Sequence, residues 1–332
     1  MDQAVAILVA ALLLDIAIGD PKYPLHPVKL MGIVISAMER FFLRIGFFTG
    51  FSGVLLIVTL QTAFVGTSWI VGEVLQGYRW FFLLFVTYSL LALKDLIEHA
   101  QRVVKHLQEE NLPKARRSVA MMVGRDVSQL ESSDISRAAI ESVAENFTDG
   151  VLSPMFWFVV GAAVGSSVGI DPPQTATVAL IFFKATNTLD SMVGYRNEKY
   201  RHFGKASARL DDALNFFPAR IAIFMICLAA FLTGQNGKKA WKIGWRDRLK
   251  HRSPNAGHAE ASMAGALGVK LGGDTVYAYG TVKKPWMGEG TTDAKAYHLR
   301  KACNLVFCAA LLSLLLSVAV LLLPWRSGGM FG

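Results

Sequence analysis

Three carboxylates recur at helical spacing in Glu141-Ser-Val-Ala-Glu145-Asn146-Phe-Thr-Asp149-Gly150. On a helix, positions i, i+4 and i+8 drift only slowly around the axis, so all three point to a similar side, and like charges four residues apart repel. A cation relieves that repulsion. The pattern fits a solvated helix face equally with a site for Mg²⁺ or a cationic substrate, since Mg²⁺ takes hard oxygen ligands and bridges to phosphates. Spacing alone does not separate the two.

A second cluster is Lys184-Ala-Thr-Asn187-Thr-Leu-Asp190-Ser191-Met-Val-Gly194-Tyr195-Arg196. Lys184, Asn187 and Ser191 share a helical face, with Asp190 one step around. A lysine beside an apolar run can simply snorkel to the interface. The company of Asn187, Asp190 and Arg196 favours a polar pocket at the membrane boundary that holds a phosphate or carboxylate. A third cluster, Tyr200 to Asp212, adds Arg209 and Asp212 one turn apart. Alone these make an i, i+3 ion pair; with the preceding clusters they alternate anion-binding and metal-binding groups. The fourth, Ser253-Pro254-Asn255-Ala256-Gly257-His258-Ala259-Glu260, is a turn and a helix start, followed by a Gly- and Ala-rich run. No G-x-x-x-x-G-K-[ST] string is present, so a standard P-loop is absent. Near the start, Gly19-Asp20-Pro21 and His26-Pro27-Val28 form a rigid turn, with His26 read as a structural hydrogen-bonder.

The elements that must position these groups are membrane helices. Of 332 residues, 53% are hydrophobic and 18% charged, against about 25% charged in an average soluble domain. Residues 53–72, 151–170 and 303–323 carry no charged side chain, and each is long enough for a hydrocarbon layer that needs about 20 apolar residues. That excludes a soluble globular protein, a disordered chain and a secreted disulfide scaffold. The three cysteines, Cys227, Cys303 and Cys308, lie in or beside apolar stretches without metal-ligand spacing and read as packing residues. Residues 3–19 follow an acidic rather than a basic start and read as a retained helix.

Seven apolar segments emerge, near residues 3–19, 53–72, 80–93, 151–170, 175–186, 219–234 and 303–323, separated by polar stretches at 20–52, 94–150, 187–218 and 235–302. The polar stretches are far longer than connectors and hold the unusual clusters, which points to chemistry at the membrane surface. Residues 235–302 contain 13 Lys and Arg against 5 Asp and Glu, which favours the cytoplasmic side. With no stacking-aromatic pattern there, anionic lipid or phosphate ligands explain the charge, and no nucleic-acid partner is expected. Hairpins are predicted around an outer turn containing Glu73 and Arg79 and around Asp171-Pro172-Pro173. The uncharged run Ile221 to Gly234 is short for a span and suits a re-entrant or buried helix. Helices are predicted over 95–110, 176–193, 205–216 and 259–269, and another from a Ser132-Ser133 cap to Phe147, ended by Gly150. No run alternates as a strand and no internal repeat is visible. The fold class is all-α: a polytopic integral membrane protein, one domain over 1–332, with long helical cytoplasmic loops.

Taken in order, several strings closely resemble the CbiB/CobD family of cobalamin biosynthesis, the adenosylcobinamide-phosphate synthases. They are Gly19-Asp20-Pro21 with His26-Pro27-Val28, Gly124-Arg125-Asp126, Glu141-Ser-Val-Ala-Glu145-Asn146 with Asp149-Gly150, Asn187-Thr-Leu-Asp190-Ser191-Met192 with Gly194-Tyr195, Ala208-Arg209-Leu210-Asp211-Asp212, and Ser253-Pro254-Asn255-Ala256-Gly257. The resemblance spans roughly residues 15 to 290. It implies an ATP-dependent amide ligase in the cytoplasmic membrane, its site facing the cytoplasm. Such an enzyme joins the corrinoid adenosylcobyric acid to aminopropanol or its phosphate, with ATP as co-substrate and Mg²⁺ as cofactor. Under it, Glu141, Glu145, Asp149 and Asp190 would coordinate Mg²⁺ or bind the ammonium of the amine. Arg125, Lys184, Arg196 and Arg209 would hold phosphates, and Asn146, Asn187 and Asn255 would pair with corrin side-chain amides. Ser191, Tyr195 and Asp212 complete the expected substrate-binding set. The alternative is a non-catalytic corrinoid transporter, or a scaffold in the bilayer that gathers other enzymes of the pathway.

Overall fold

A computed structural model describes residues 1–20, 23–195, 197–277 and 280–324. In chain order the described helices are α1 (Asp2–Ile18), α2 (Pro27–Arg44), α3 (Gly50–Val74), α4 (Arg79–Ser89), α5 (Leu93–Gln108), α6 (Leu112–Ala120), α7 (Ser132–Phe147) and α8 (Ser153–Val168). They continue as α9 (Pro172–Val193), α10 (Lys205–Leu214), α11 (Phe216–Leu232), α12 (Gly237–Asp247), α13 (Ala256–Leu267) and α14 (Ala296–Leu321). Between α13 and α14 lie four strands of two or three residues, β1 (Leu271–Gly272), β2 (Thr275–Tyr277), β3 (Gly280–Val282) and β4 (Trp286–Met287). β1 pairs antiparallel with β4, and β2 with β3.

Local signals start most of these helices. Thr49 and Ser52 close a capping box on α3. Asp171 accepts from the Gln174 N–H at 3.3 Å, and Pro172 and Pro173 follow where a helix start has no use for their missing N–H groups. Asn111 and Asn236 cap α6 and α12 in the same way. Gly268, at φ 67°, ends α13 in the left-handed region that a side chain disfavours.

Among the described residues four stretches have the length and composition to cross a membrane: Gly50–Val74, Gln76–Gln108, Ser132–Val168 and Ala296–Leu321. Lys205–Leu214 qualifies only together with Phe216–Leu232, in keeping with the short helix expected at 219–234. α1, with 17 residues, and α9, which carries Lys184 and Asp190, are not among them. One expectation is corrected: Gly150 does not end the helix after Phe147. A π turn, Thr148–Leu152, carries the chain on into α8. Pro154 supplies the physical reason, because it lacks the N–H that an α-helical turn requires and a wider turn accommodates its ring.

The described chain divides into two compact units, each drawn from separated segments: Met1–Ala92, Ser153–Leu214 and Leu314–Gly332 in the first, Leu93–Leu152 and Asn215–Ser313 in the second. In the first unit α9 packs against α1, α2, α3, α4, α8 and α10. Within the helical layer Gln61 donates to the Phe182 carbonyl at 3.0 Å and to Thr186 at 2.8 Å. Arg79 reaches Glu73 at 3.1 Å and Asp171 at 3.6 Å, so it ties together the two turns predicted to cap the apolar hairpins. In the second unit every residue of α13 is buried. Its small residues let neighbouring backbone approach, Gly257 resting against the Arg248 carbonyl and Gly265 against that of Lys239.

Candidate functional site

In the first unit, the second and third sequence clusters meet directly. Asn187 Nδ2 donates to Asp211 Oδ1 at 3.2 Å, and Asp211 is buried. Asp190, half-buried on α9, lies against the Cα of Gly194. Ser191 points elsewhere: it is exposed and its hydroxyl donates to the Thr188 carbonyl at 2.8 Å. Lys184 lines a cavity of about 370 Å³ with Asp20, Tyr23, His26, Lys29 and Ser89. There His26 pairs with Asp20 at 2.8 Å, the structural role expected of it, and Tyr23 shares a hydrogen bond with Ser89 at 2.9 Å.

Tyr195, Arg209 and Asp212 line a second cavity of about 420 Å³, which also takes in Arg201, His202 and Lys205. The segment that carries these groups is fixed from both sides. Phe203 is buried and stacks on Phe48 with ring centroids 4.0 Å apart. Its carbonyl lies against Gly53, and Gly204 lies against the carbonyl of Val193, so a Cβ fits at neither glycine. Lys199 Nζ and the Tyr200 hydroxyl both donate to Glu39 on α2, at 2.6 and 2.7 Å. Burial raises the Tyr200 hydroxyl above its ordinary pKa, so it stays a donor. Arg196, the remaining expected phosphate ligand, lies outside the described residues.

In the second unit the acidic helix face is partly committed. Glu141 is buried, accepts the Gly272 N–H at 2.7 Å and pairs through its other oxygen with Arg125. Glu145 is half-buried, as is Asp149 in the π turn. Asn146 is exposed and turns back on its own helix, donating to the Ser142 carbonyl at 2.9 Å. Asn255 is buried at the start of α13, where Ser253 Oγ accepts its N–H at 3.2 Å.

The structure adds a residue to this cluster. Glu260, buried on α13, has its proton affinity pushed well above the usual carboxylate range, first by burial and then by the carboxylates of Glu141 and Glu145; Lys284 and Arg125 oppose this. His251 stands beside it, Nε2 at 3.8 Å from Glu260 Oε1. Burial, aided by Lys284, lowers His251 to about 4, so it is neutral near pH 7. Its Nδ1 accepts the Ser253 N–H at 3.0 Å, which leaves its proton on Nε2, the nitrogen that faces Glu260. Glu260 was legible only as a lone acid in the small-residue run Ala256 to Leu267. Arg201, His202 and Lys205 carried no signal beyond their nearness to Arg209.

The four expected metal ligands are distributed as Asp190 in the first unit and Glu141, Glu145 and Asp149 in the second. Among the described residues no three His, Cys, Asp or Glu side chains group as a metal site, and both Glu141 oxygens are engaged.

A chain that is largely helical, with several stretches long and apolar enough to cross a membrane, defines a polytopic membrane protein. The chain belongs to the CobD/CbiB family. The family model described as CobD/Cbib protein matches residues 8–306. The chain is similar to the cobalamin biosynthesis protein CobD of Desulfotalea psychrophila, 39% identical over 311 residues that cover 92% of this chain and 94% of that protein. It is similar also to CobD of Klebsiella pneumoniae, 38% identical with 93% and 95% covered. The cobalamin biosynthesis protein CbiB of Salmonella typhimurium is 37% identical, again with 93% and 95% covered. No solved structure matches the chain.

Proposed function

We propose that this chain acts in cobalamin biosynthesis as an ATP-dependent acid–amine ligase, joining the free side-chain carboxylate of adenosylcobyric acid to aminopropanol or its phosphate. The observation that carries this reading is Glu260, a buried acid of raised proton affinity set beside Glu141 and Glu145. Amide formation needs a base able to take a proton from an ammonium near neutral pH, and burial among like charges is how a carboxyl group acquires that strength.

A carboxylate is a poor acyl donor because oxide would have to leave. In the proposed reaction a carboxylate oxygen attacks the γ-phosphorus of MgATP, and the bond to the bridging oxygen breaks as ADP departs. The amine nitrogen then attacks the acyl carbon, inorganic phosphate leaves, and the nitrogen's proton passes to Glu260. Mg²⁺ bound with ATP would supply neutralisation of the phosphate charge. In the second unit Glu145 attracts the ammonium, with Glu141 and Asp149 adding negative charge; in the first unit Asp190 attracts a cation on its own account. In the first unit Lys184 and Arg209 hold phosphate oxygens in their separate cavities, a role Arg196 shares, and Asn187 meets a corrin amide; in the second, Arg125 and Asn255 offer the same chemistry. The basic stretch 235–302 faces the cytoplasm, where ATP is supplied.

The test is the purified protein in detergent with MgATP, adenosylcobyric acid and aminopropanol phosphate. ADP release and amide product are expected. Glu145→Ala or Asp190→Ala should abolish product while membrane insertion persists, and wild-type-like activity in either removes that residue from the site. Corrinoid binding without turnover in the wild type would mark a scaffold instead.

A further inference from the structure

We propose that the cavity of about 420 Å³ in the first unit is the seat of the nucleoside triphosphate. The assignment rests on the ligase reading and supplies what a chain without a P-loop sequence otherwise lacks, a place for ATP.

Three features of the cavity converge on this ligand. Its volume of about 420 Å³ falls within the roughly 300 to 1,000 Å³ typical of small-molecule sites. Its charge is one-sided: Arg201, Lys205 and Arg209 face a single carboxylate, Asp212, with the His202 ring beside them. Several cations around one half-open cavity suit a ligand with several phosphates, and guanidinium groups can bind phosphate through two parallel hydrogen bonds. Lys205 is also the first residue of α10, so the partial positive charge of that helix end adds to the same field.

The third feature is aromatic. Tyr195, a residue 52% exposed, lines the cavity, and its ring centroid is 6.3 Å from that of Tyr200. An accessible ring beside a basic groove is the arrangement on which nucleic-acid bases stack. Tyr200 is itself held by Glu39 and Phe48, so the aromatic wall is built before a ligand arrives. The Lys184 cavity differs, because there the Asp20–His26 pair supplies acid and base together. An anionic lipid headgroup shares the phosphate chemistry, but it offers one phosphate to several cations and no base to Tyr195.

The experiment measures equilibrium binding of radiolabelled MgATP, and separately of magnesium tripolyphosphate, to the full chain in detergent. The double variant Arg201→Glu/Arg209→Glu should weaken both ligands by at least about tenfold. Tyr195→Ala should weaken MgATP by about fivefold or more and leave tripolyphosphate within about twofold. Lys238→Ala, an exposed lysine of the second unit, should change neither. Gel filtration and thermal unfolding check that each variant is folded. Wild-type MgATP affinity in the double variant overturns the assignment. If that variant also loses phosphatidylglycerol from nanodiscs, the cavity is a lipid-headgroup site. Product formation that needs ATP yet keeps a wild-type KM for ATP in the variants sinks only this pocket, whereas product formation without ATP sinks the ligase reading.

Discussion

The backbone N–H of Gly272 donates to Oε1 of Glu141 at 2.7 Å, and Arg125 takes the same carboxylate by its other oxygen. One buried side chain thereby joins α7, the segment before it and the first strand after α13. Glu141→Ala removes this partner from the part-buried Arg125, a loss of up to about 3 kcal/mol. Glu141→Gln keeps an acceptor for Gly272 and should cost about 1–3 kcal/mol. Thermal unfolding in detergent ranks the two, and equal losses would show that the contact with Gly272 adds nothing.

Glu260 makes a prediction about pH. Its carboxyl is held above the ordinary value of 4.5 by burial and by Glu141 and Glu145. As pH rises, the unfolded chain releases this proton first, so the stability contributed by the protonated group is complete below about 4.5 and is lost as pH climbs through the folded-state value. Glu260→Gln keeps the shape without the titration. Its melting temperature should exceed that of the wild type by a margin that grows from pH 4.5 to 8, while product formation falls by at least about 100-fold. His251 and His258, both lowered to about 4, chiefly by burial, act in the other direction at acid pH. They are present in both proteins and cancel in the difference. A margin independent of pH would refute the raised affinity of Glu260.

Gly53 and Gly66 lie on the same helix and predict opposite outcomes. A Cβ at Gly53 meets the backbone of Phe203, whereas one at Gly66 meets open space. Gly53→Ala should cost about 1–3 kcal/mol by overpacking and weaken MgATP binding, because Phe203 anchors the segment that lines the basic cavity. Gly66→Ala should be neutral or stabilising by up to about 1 kcal/mol through helix propensity. Thermal unfolding and nucleotide binding measured on both variants test the pair.

The proposed orientation is checked by single cysteines in a background lacking Cys227, Cys303 and Cys308. Tyr78→Cys, beside the turn tied by Arg79, should react with an impermeant maleimide on intact cells. Tyr195→Cys and Lys238→Cys, both exposed positions, should react only after permeabilisation. External labelling of Tyr195→Cys would reverse the assignment of the 187–218 stretch.

By itself the sequence determined that this is a helical membrane protein of the CobD/CbiB family. Charge-free runs such as 303–323 are readable because hydrocarbon excludes charge all along a span, and the ordered polar strings are read residue by residue. Helices over 176–193 and 259–269 were legible to within a few residues because caps and periodicity are local. Tertiary structure alone decided the rest. Pro154 overrode the expected stop at Gly150; Glu141, read as a ligand, is held by Arg125 and Gly272; Glu260, read as part of a helix start, joins the acidic cluster; Arg201, His202 and Lys205 close a cavity around Arg209. The physical reason is common to the last three. A proton affinity or an enclosed volume is set by burial and by neighbours from other elements, as when Gly272 meets Glu141 across 131 positions of chain, and no local pattern encodes that meeting.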